Sequence, residues 1–319
     1  MWSLCALILG FCLDLIVGDP YWMPHPIVFI GKLIDVTEKG MRKLFPKTVR
    51  GENFAGVAIW LIVVTVSTGL PLLVLHLAYG ASCWLGFAME TILCAQILAT
   101  KSLKTESMKV YQALQTGDLE KARYAVSMIV GRDTQRLDEA GVARAAVETV
   151  AENTSDGIVA PMLFLAVGGA PLGFFYKAVN TMDSMLGYVE MPYKNVGLVP
   201  AKMDDFCNYI PARISALLML AAGTLLGFDG KNGWKIFIRD RYNHASPNSA
   251  QTESVCAGLL GLRLAGDAWY HGVLHKKKYI GDPNRDIEPG DIPKSCRILY
   301  GTAILSLAVF AVVKYLILL

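Results

Sequence analysis

Five long apolar blocks constrain this chain more than any other feature: Trp2 to Val17, Phe54 to Tyr79, Ala81 to Thr100, Ile210 to Phe228 and Ile298 to Leu319. Each is long enough, or nearly so, to cross ~30 Å of hydrocarbon as a helix. Inside lipid every backbone N–H and C=O must be satisfied within the protein, which leaves helices as the spanning form for such runs. The composition agrees: 54% of residues are hydrophobic and only 18% are charged, against roughly 25% charged in soluble domains. A large soluble protein with buried helices is the alternative, but here the apolar excess arrives in blocks rather than at scattered core positions. The expectation is an all-α, polytopic helical membrane protein forming one integral-membrane domain over residues 1–319, with cytoplasmic helical insertions.

The N-terminus lacks a basic leader and an A-x-A site, and Asp14 interrupts its apolar run, so it reads as a retained first membrane helix. The loop that follows carries Lys32, Lys39, Arg42, Lys43, Lys47 and Arg50. The positive-inside rule places it in the cytoplasm and the N-terminus outside. Two further basic stretches, about 101–156 and 229–296, are expected to be cytoplasmic and helical, with Thr116-Gly117-Asp118 as a helix break and cap. A helical hairpin should turn near Gly80, and the last helix should run outward from about Arg297. The seven cysteines form no C-x-x-C pair and read as small apolar packers.

The middle of the chain is less regular. Residues 157–178 are interrupted by Gly168-Gly169-Ala170-Pro171, leaving two apolar halves of about ten residues, too short to span singly. A re-entrant or broken helix pair fits, and a kinked single crossing competes with it. A hairpin would open two similar segments, Asn153-Thr154-Ser155-Asp156 and Asn180-Thr181-Met182-Asp183, to the same side.

Those segments carry the chemistry. Arg144, Glu148 and Glu152 recur four residues apart on one helical face, and Asn153, Asp156 and Gly157 are expected to end that helix. A salt-bridged, solvated helix end is one reading; oxygen ligands for Mg²⁺ are the other, since that ion takes one or two carboxylates plus phosphate and water. Lys177, Thr181, Ser184 and Tyr188 share a face next to Asn180, Asp183 and Gly187. Polar residues in this number beside membrane helices are tolerated where a ligand or water fills the space. Asp204-Asp205, Asn208 and Arg213 repeat the theme. Weaker signals are Gly18-Asp19-Pro20 with His25-Pro26, Val130-Gly131-Arg132-Asp133-Thr134 as a phosphate contact, and Arg239-Asp240 through His244 to Ser249 and then Glu253. There is no phosphate-loop, dinucleotide, H-E-x-x-H or G-x-S-x-G motif, and nothing resembles a nucleic-acid reader.

These same blocks resemble a known family. Gly18-Asp19-Pro20, Val130 to Thr134, Val150 to Gly157, Tyr176 to Met185, Asp204-Asp205 with Pro211-Ala212-Arg213, and Ser246-Pro247-Asn248 are similar, in order and over nearly the whole chain, to the cobalamin-biosynthesis membrane proteins of the CbiB/CobD type, the adenosylcobinamide-phosphate synthases. The stretch Ser249 to Glu253 departs from that pattern, which has a Gly and a Pro nearby, and Glu253 receives no role.

The resemblance implies ATP-dependent amide formation between adenosylcobyric acid and aminopropanol or its O-phosphate, at the cytoplasmic side of the cell membrane. The implied partners are these substrates, the bilayer and other membrane enzymes of late corrinoid assembly. The implied cofactors are Mg²⁺ and ATP as co-substrate. Glu152, Asp156, Asp183, Asp204 and Asp205 would supply the Mg²⁺ shell, directly or through water. Arg132, Lys177 and Arg213 would neutralise phosphate, with Ser184 and Asn248 also binding substrate. Asn153 and Asn180 would orient donors, and His25 or His244 would take the amine proton. Two other classes compete: an ion-coupled transporter with broken helices, and a non-catalytic regulatory relative, which should have lost acids that this chain keeps.

Overall fold

A computed structural model describes residues 1–187, 192–270 and 272–319. Twelve α-helices are described, and five helical stretches are long and apolar enough to cross a membrane. The chain is thus a multi-pass membrane protein, mostly helical as expected. It divides into two compact units, the first made of Met1–Ala99, Ala160–Asn208 and Val309–Leu319, the second of Thr100–Val159 and Tyr209–Ala308.

The first unit begins with the short apolar α1 (Trp2–Ile16) and α2 (Pro26–Leu44), the latter capped by His25, whose Nδ1 accepts from the Ile27 N–H at 3.2 Å. The long α3 (Val49–Ala81) and α4 (Cys83–Ala95) form the expected helical hairpin. Its break falls at Ser82, whose hydroxyl accepts from the Trp84 N–H at 3.3 Å and so starts the next helix. Gly86 lets the two helices close: a Cβ there would lie 2.3 Å from the Tyr79 ring. Leucines such as Leu70, Leu73 and Leu77 remain exposed along α3, which suits a helix facing hydrocarbon rather than water.

The broken apolar run becomes α8 (Ala160–Leu186), whose backbone leaves helical geometry at Gly168 and Gly169, the latter at φ +66°. Phe164 lies 5.0 Å from the Tyr176 ring, whereas a straight helix would separate residues twelve apart by about 18 Å. A Cβ on Gly173 would similarly meet Leu165 at 2.7 Å. The two arms therefore run back along each other: of the two forms considered, α8 is the re-entrant pair. The freed carbonyls of Leu165 and Ala166 accept from Lys314 Nζ at 3.1 and 3.2 Å. At the turn, Glu90 accepts from Ser3 Oγ and Tyr79 OH.

The second unit gathers both basic stretches recognised in the sequence. α5 (Thr100–Gln115), α6 (Leu119–Ser127) and α7 (Glu139–Thr154) come from the first, and α10 (Gly230–Asp240) and α11 (Ser249–Leu260) from the second. Asp118 caps α6 as expected, and Asp138 and Asp229 cap α7 and α10. Val126, Val142, Ala146, Ile236 and Val255 belong to their shared core. Two features depart from expectation. The stretch 229–296 is not wholly helical, because β1 (Leu264–Ala265) pairs with β4 (Tyr279–Ile280) and β2 (Ala268–Tyr270) with β3 (Val273–His275), all antiparallel. Nor does the helix end at Asn153–Gly157: Ser155–Val159 forms a π-helical turn that carries α7 into α8. Inserting a residue this way swings the following side chains round the axis without breaking the backbone ladder.

α9 (Leu198–Leu225) and α12 (Asp291–Ile317) each contribute to both units. The cysteines are all free, and Cys94, Cys207, Cys256 and Cys296 are buried.

Candidate functional site

The second unit encloses a polar cavity of ≈ 200 Å³. α7 supplies Glu148, Glu152 and Asn153, the loop before it Arg132, and α11 Glu253. His244 enters from the turn between α10 and α11, and Lys277 from the segment after β3. Sequence spacing had put Glu148 and Glu152 on one face; the fold turns that face onto three other charged side chains.

Each wall has its own anchoring. Glu148 is 5% exposed and ion-pairs with Arg132 through Oε2, while Oε1 accepts from the Ala265 N–H at 2.6 Å. Ala265 has φ 59° and is alone among the described non-glycine residues in having a positive φ. Glu152 accepts from Ser249 Oγ at 2.9 Å. Asn153 Nδ2 donates to the Thr149 carbonyl at 3.0 Å. Lys277 Nζ donates to Tyr270 OH at 2.7 Å.

The cavity's electrostatics follow from burial and from these neighbours. Glu253 is 5% exposed, and burial pushes its carboxyl well above the usual range, assisted by Glu152 and Glu148 and opposed by Arg132 and Lys277. Burial works against the Arg132 guanidinium, but the adjacent Glu148 carboxylate outweighs it and raises its pKa. His244 is held below the ordinary imidazole range by burial; Lys277 adds to this, while Glu152 and Glu148 oppose it.

Arg213 and Asn248 meet in this unit, Arg213 NH1 donating to Asn248 Oδ1 at 3.2 Å, with the guanidinium 3.6 Å from the Tyr209 ring centre. Asp156 lies in the π-helical turn, four residues beyond Glu152.

The remaining sequence candidates belong to the first unit. Asn180 Nδ2 donates to Asp204 Oδ1 at 3.4 Å, Asn208 Nδ2 to Asp204 Oδ2 at 3.0 Å, and Tyr176 OH to Asn208 Oδ1 at 2.8 Å. This chain joins α8 to α9. Lys177 and Asp204 are buried, and the Ser184 hydroxyl donates to the Asn180 carbonyl. The Asp183 carbonyl accepts from the Gly187 N–H; Asp205 pairs with Lys202 at 3.9 Å. His25 has its Nδ1 occupied as a helix cap and its Nε2 3.1 Å from Asp19. Tyr188 lies outside the described residues.

Of the acids expected to hold Mg²⁺, Glu152 and Asp156 belong to the second unit and Asp183, Asp204 and Asp205 to the first; among the described residues no three His, Cys, Asp or Glu group as they would to hold a metal ion. A magnesium ion that arrives with phosphate oxygens and water needs only one or two protein carboxylates.

A CobD/Cbib protein family model matches residues 7–299. The chain belongs to this family. It is 47% identical over 308 residues to a cobalamin biosynthesis protein CobD of Clostridium perfringens, covering 97% of each chain. It is 44% identical over 313 residues to the CobD of Klebsiella pneumoniae, covering 98% of each. It is also 42% identical over 308 residues to the cobalamin biosynthesis protein CbiB of Salmonella arizonae, covering 97% of this chain and 96% of that one. No solved structure matches it. As a CobD/CbiB protein the chain has a role in cobalamin biosynthesis.

Sequence reasoning passed over Lys277 and the Ala265 backbone as parts of this cavity, and it named Glu253 in a cluster with His244 without giving it a role. The Lys276-Lys277-Lys278 run was the only available signal for Lys277. Glu253 sits on α11, which is buried on all sides and has no polar face to betray it. Ala265 acts through its backbone, which composition cannot reveal.

Proposed function

We propose that the protein catalyses ATP-dependent amide formation, joining adenosylcobyric acid to aminopropanol or aminopropanol O-phosphate. The observation that carries this reading is the gathering of Arg132, Lys277 and Glu152 on one small cavity of a cobalamin-biosynthesis protein. A carboxylate is a poor acyl donor and has to be activated, most simply as an acyl phosphate. Phosphoryl transfer depends on charge stabilisation, which fixed cations supply without reorganisation.

At ≈ 200 Å³ the cavity is smaller than the roughly 300–1,000 Å³ typical of drug-sized ligands. It suits a phosphorylated amino alcohol or a terminal phosphate rather than a corrinoid. Arg132 and Lys277 would neutralise the phosphate, and Asn153 and His244 would orient it. Glu152 on the cavity wall and Asp156, in the π-helical turn beyond it, would hold Mg²⁺ together with phosphate oxygens and water. When bound, the ion would offset charge on the transferring phosphoryl group. In the first unit, Asn180 and Asp204 keep a polar chain intact beside the re-entrant helix pair, where Lys177, Asp183 and Ser184 would contact substrate.

The second unit is built from the Lys- and Arg-rich stretches, which favours a cytoplasmic location for its cavity. To test the reading, the purified protein is incubated with ATP, Mg²⁺, adenosylcobyric acid and aminopropanol phosphate. An amide product by mass, dependent on ATP, is expected. Its absence, together with substrate counterflow in proteoliposomes, would instead identify a carrier.

A further inference from the structure

The family resemblance offers His244 as a base for the amine, yet its hydrogen bonding points elsewhere. Its Nδ1 accepts from the Ser246 backbone N–H at 3.1 Å. A backbone amide always brings its own hydrogen, so Nδ1 presents a lone pair. A neutral imidazole whose Nδ1 carries the lone pair has its single proton on Nε2. Burial and Lys277 favour that neutral form over the imidazolium, against the pull of Glu152 and Glu148. The ring lines the cavity, and its remaining polar atom is Nε2, already protonated.

Resting on the amide-forming reading above, we propose that His244 is a fixed Nε2–H hydrogen-bond donor to a phosphate oxygen in this cavity, and that it does not take the amine proton. The charged groups around it are consistent with this division. Arg132, from the loop before α7, and Lys277, from the segment after β3, make one part of the wall cationic. Glu148 of α7 is held by Arg132 and by the Ala265 N–H. Glu253 of α11 is pushed towards its neutral form. Glu152 of α7 accepts from the Ser249 hydroxyl.

Two measurements test this. Protein labelled with ¹⁵N-histidine in detergent is compared with H244N to assign the His244 ring nitrogens. At pH 7 a protonated Nε2 and an unprotonated Nδ1 are expected, and the Nε2 signal should move when aminopropanol phosphate is added. A ring protonated on Nδ1 or on both nitrogens, or an Nε2 signal unmoved by saturating probe, overturns the proposal. The second measurement compares His244→Gln with His244→Ala. The Gln amide can donate near the Nε2 position but cannot serve as a base. A missing donor costs about 100-fold in turnover, so H244A should lose that much, while H244Q should stay within about tenfold of wild type. H244Q falling to the level of H244A, with unchanged melting temperature, also overturns it. If the wild-type protein forms no amide, the ligation reading fails, while the ring protonation and the response to the phosphorylated amine still decide the role of His244.

Discussion

The carboxylate of Glu148 accepts the backbone N–H of Ala265 at 2.6 Å while its other oxygen pairs with Arg132. One buried side chain thus holds both the Arg132 guanidinium and a backbone turn at φ 59°. Removing it leaves a guanidinium without its counter-charge and an N–H without an acceptor.

Glu148→Ala should therefore lower thermal stability by about 3 kcal/mol, the range for breaking a buried pair, and reduce amide formation at least about 100-fold. Glu148→Gln, which keeps an acceptor for Ala265, should recover most of the stability and little of the activity. Ala265→Gly should be neutral or mildly stabilising because glycine adopts positive φ without steric cost. Thermal melts in detergent with parallel turnover assays check all three.

Glu253 and His244 make opposite contributions to the pH dependence of stability. The folded-state pKa of Glu253 is raised above its ordinary value, so the native state holds a proton that the unfolded chain has lost. Stability then falls as pH rises above the usual carboxylate range. The His244 pKa is depressed, so its contribution is present above the ordinary imidazole value and declines as pH falls through that range. Melting temperature followed from pH 5 to 8 should rise more steeply with pH in Glu253→Gln than in wild type, because only the histidine contribution remains. An unchanged slope would contradict the neutral form of Glu253.

Lys314 closes the open carbonyls of the re-entrant helix pair at Leu165 and Ala166. Lys314→Met should destabilise the protein by about 1–3 kcal/mol, the cost of stranding buried acceptors. Gly169→Ala forces a Cβ into positive φ, at about 1–2 kcal/mol, and towards Glu90 Oε1, 3.1 Å away. Both effects should appear as lower melting temperatures with membrane insertion intact.

Asp156→Ala and Asp183→Ala are each expected to abolish amide formation without loss of membrane insertion, a fall of at least about 100-fold. Product quantified by mass, with membrane-fraction protein quantified alongside, separates the two effects. Near-normal turnover in either variant would remove that residue from the site.

The sequence by itself determined the multi-pass helical fold, because runs such as Phe54–Tyr79 have no other way to satisfy their backbone in lipid. It also marked the break at Gly168–Gly169, where glycine and proline forecast lost helical geometry, and it brought out Glu152 and Arg132 through spacing and charge. What it left open were choices made by contacts distant along the chain. Whether α8 bends or folds back on itself was decided by Phe164 meeting Tyr176, and by Lys314 capping carbonyls nearly 150 residues away. Gly157 looked like a turn, but tertiary packing carried the backbone through a π-helical turn instead. Glu253 stood beside His244 in the sequence but without a role, because α11 is buried all round and no periodic polar face singled it out. Hydropathy and spacing report on local free energy. The cavity's proton positions depend on which buried groups the fold brings within hydrogen-bonding distance, and that only the tertiary structure could decide.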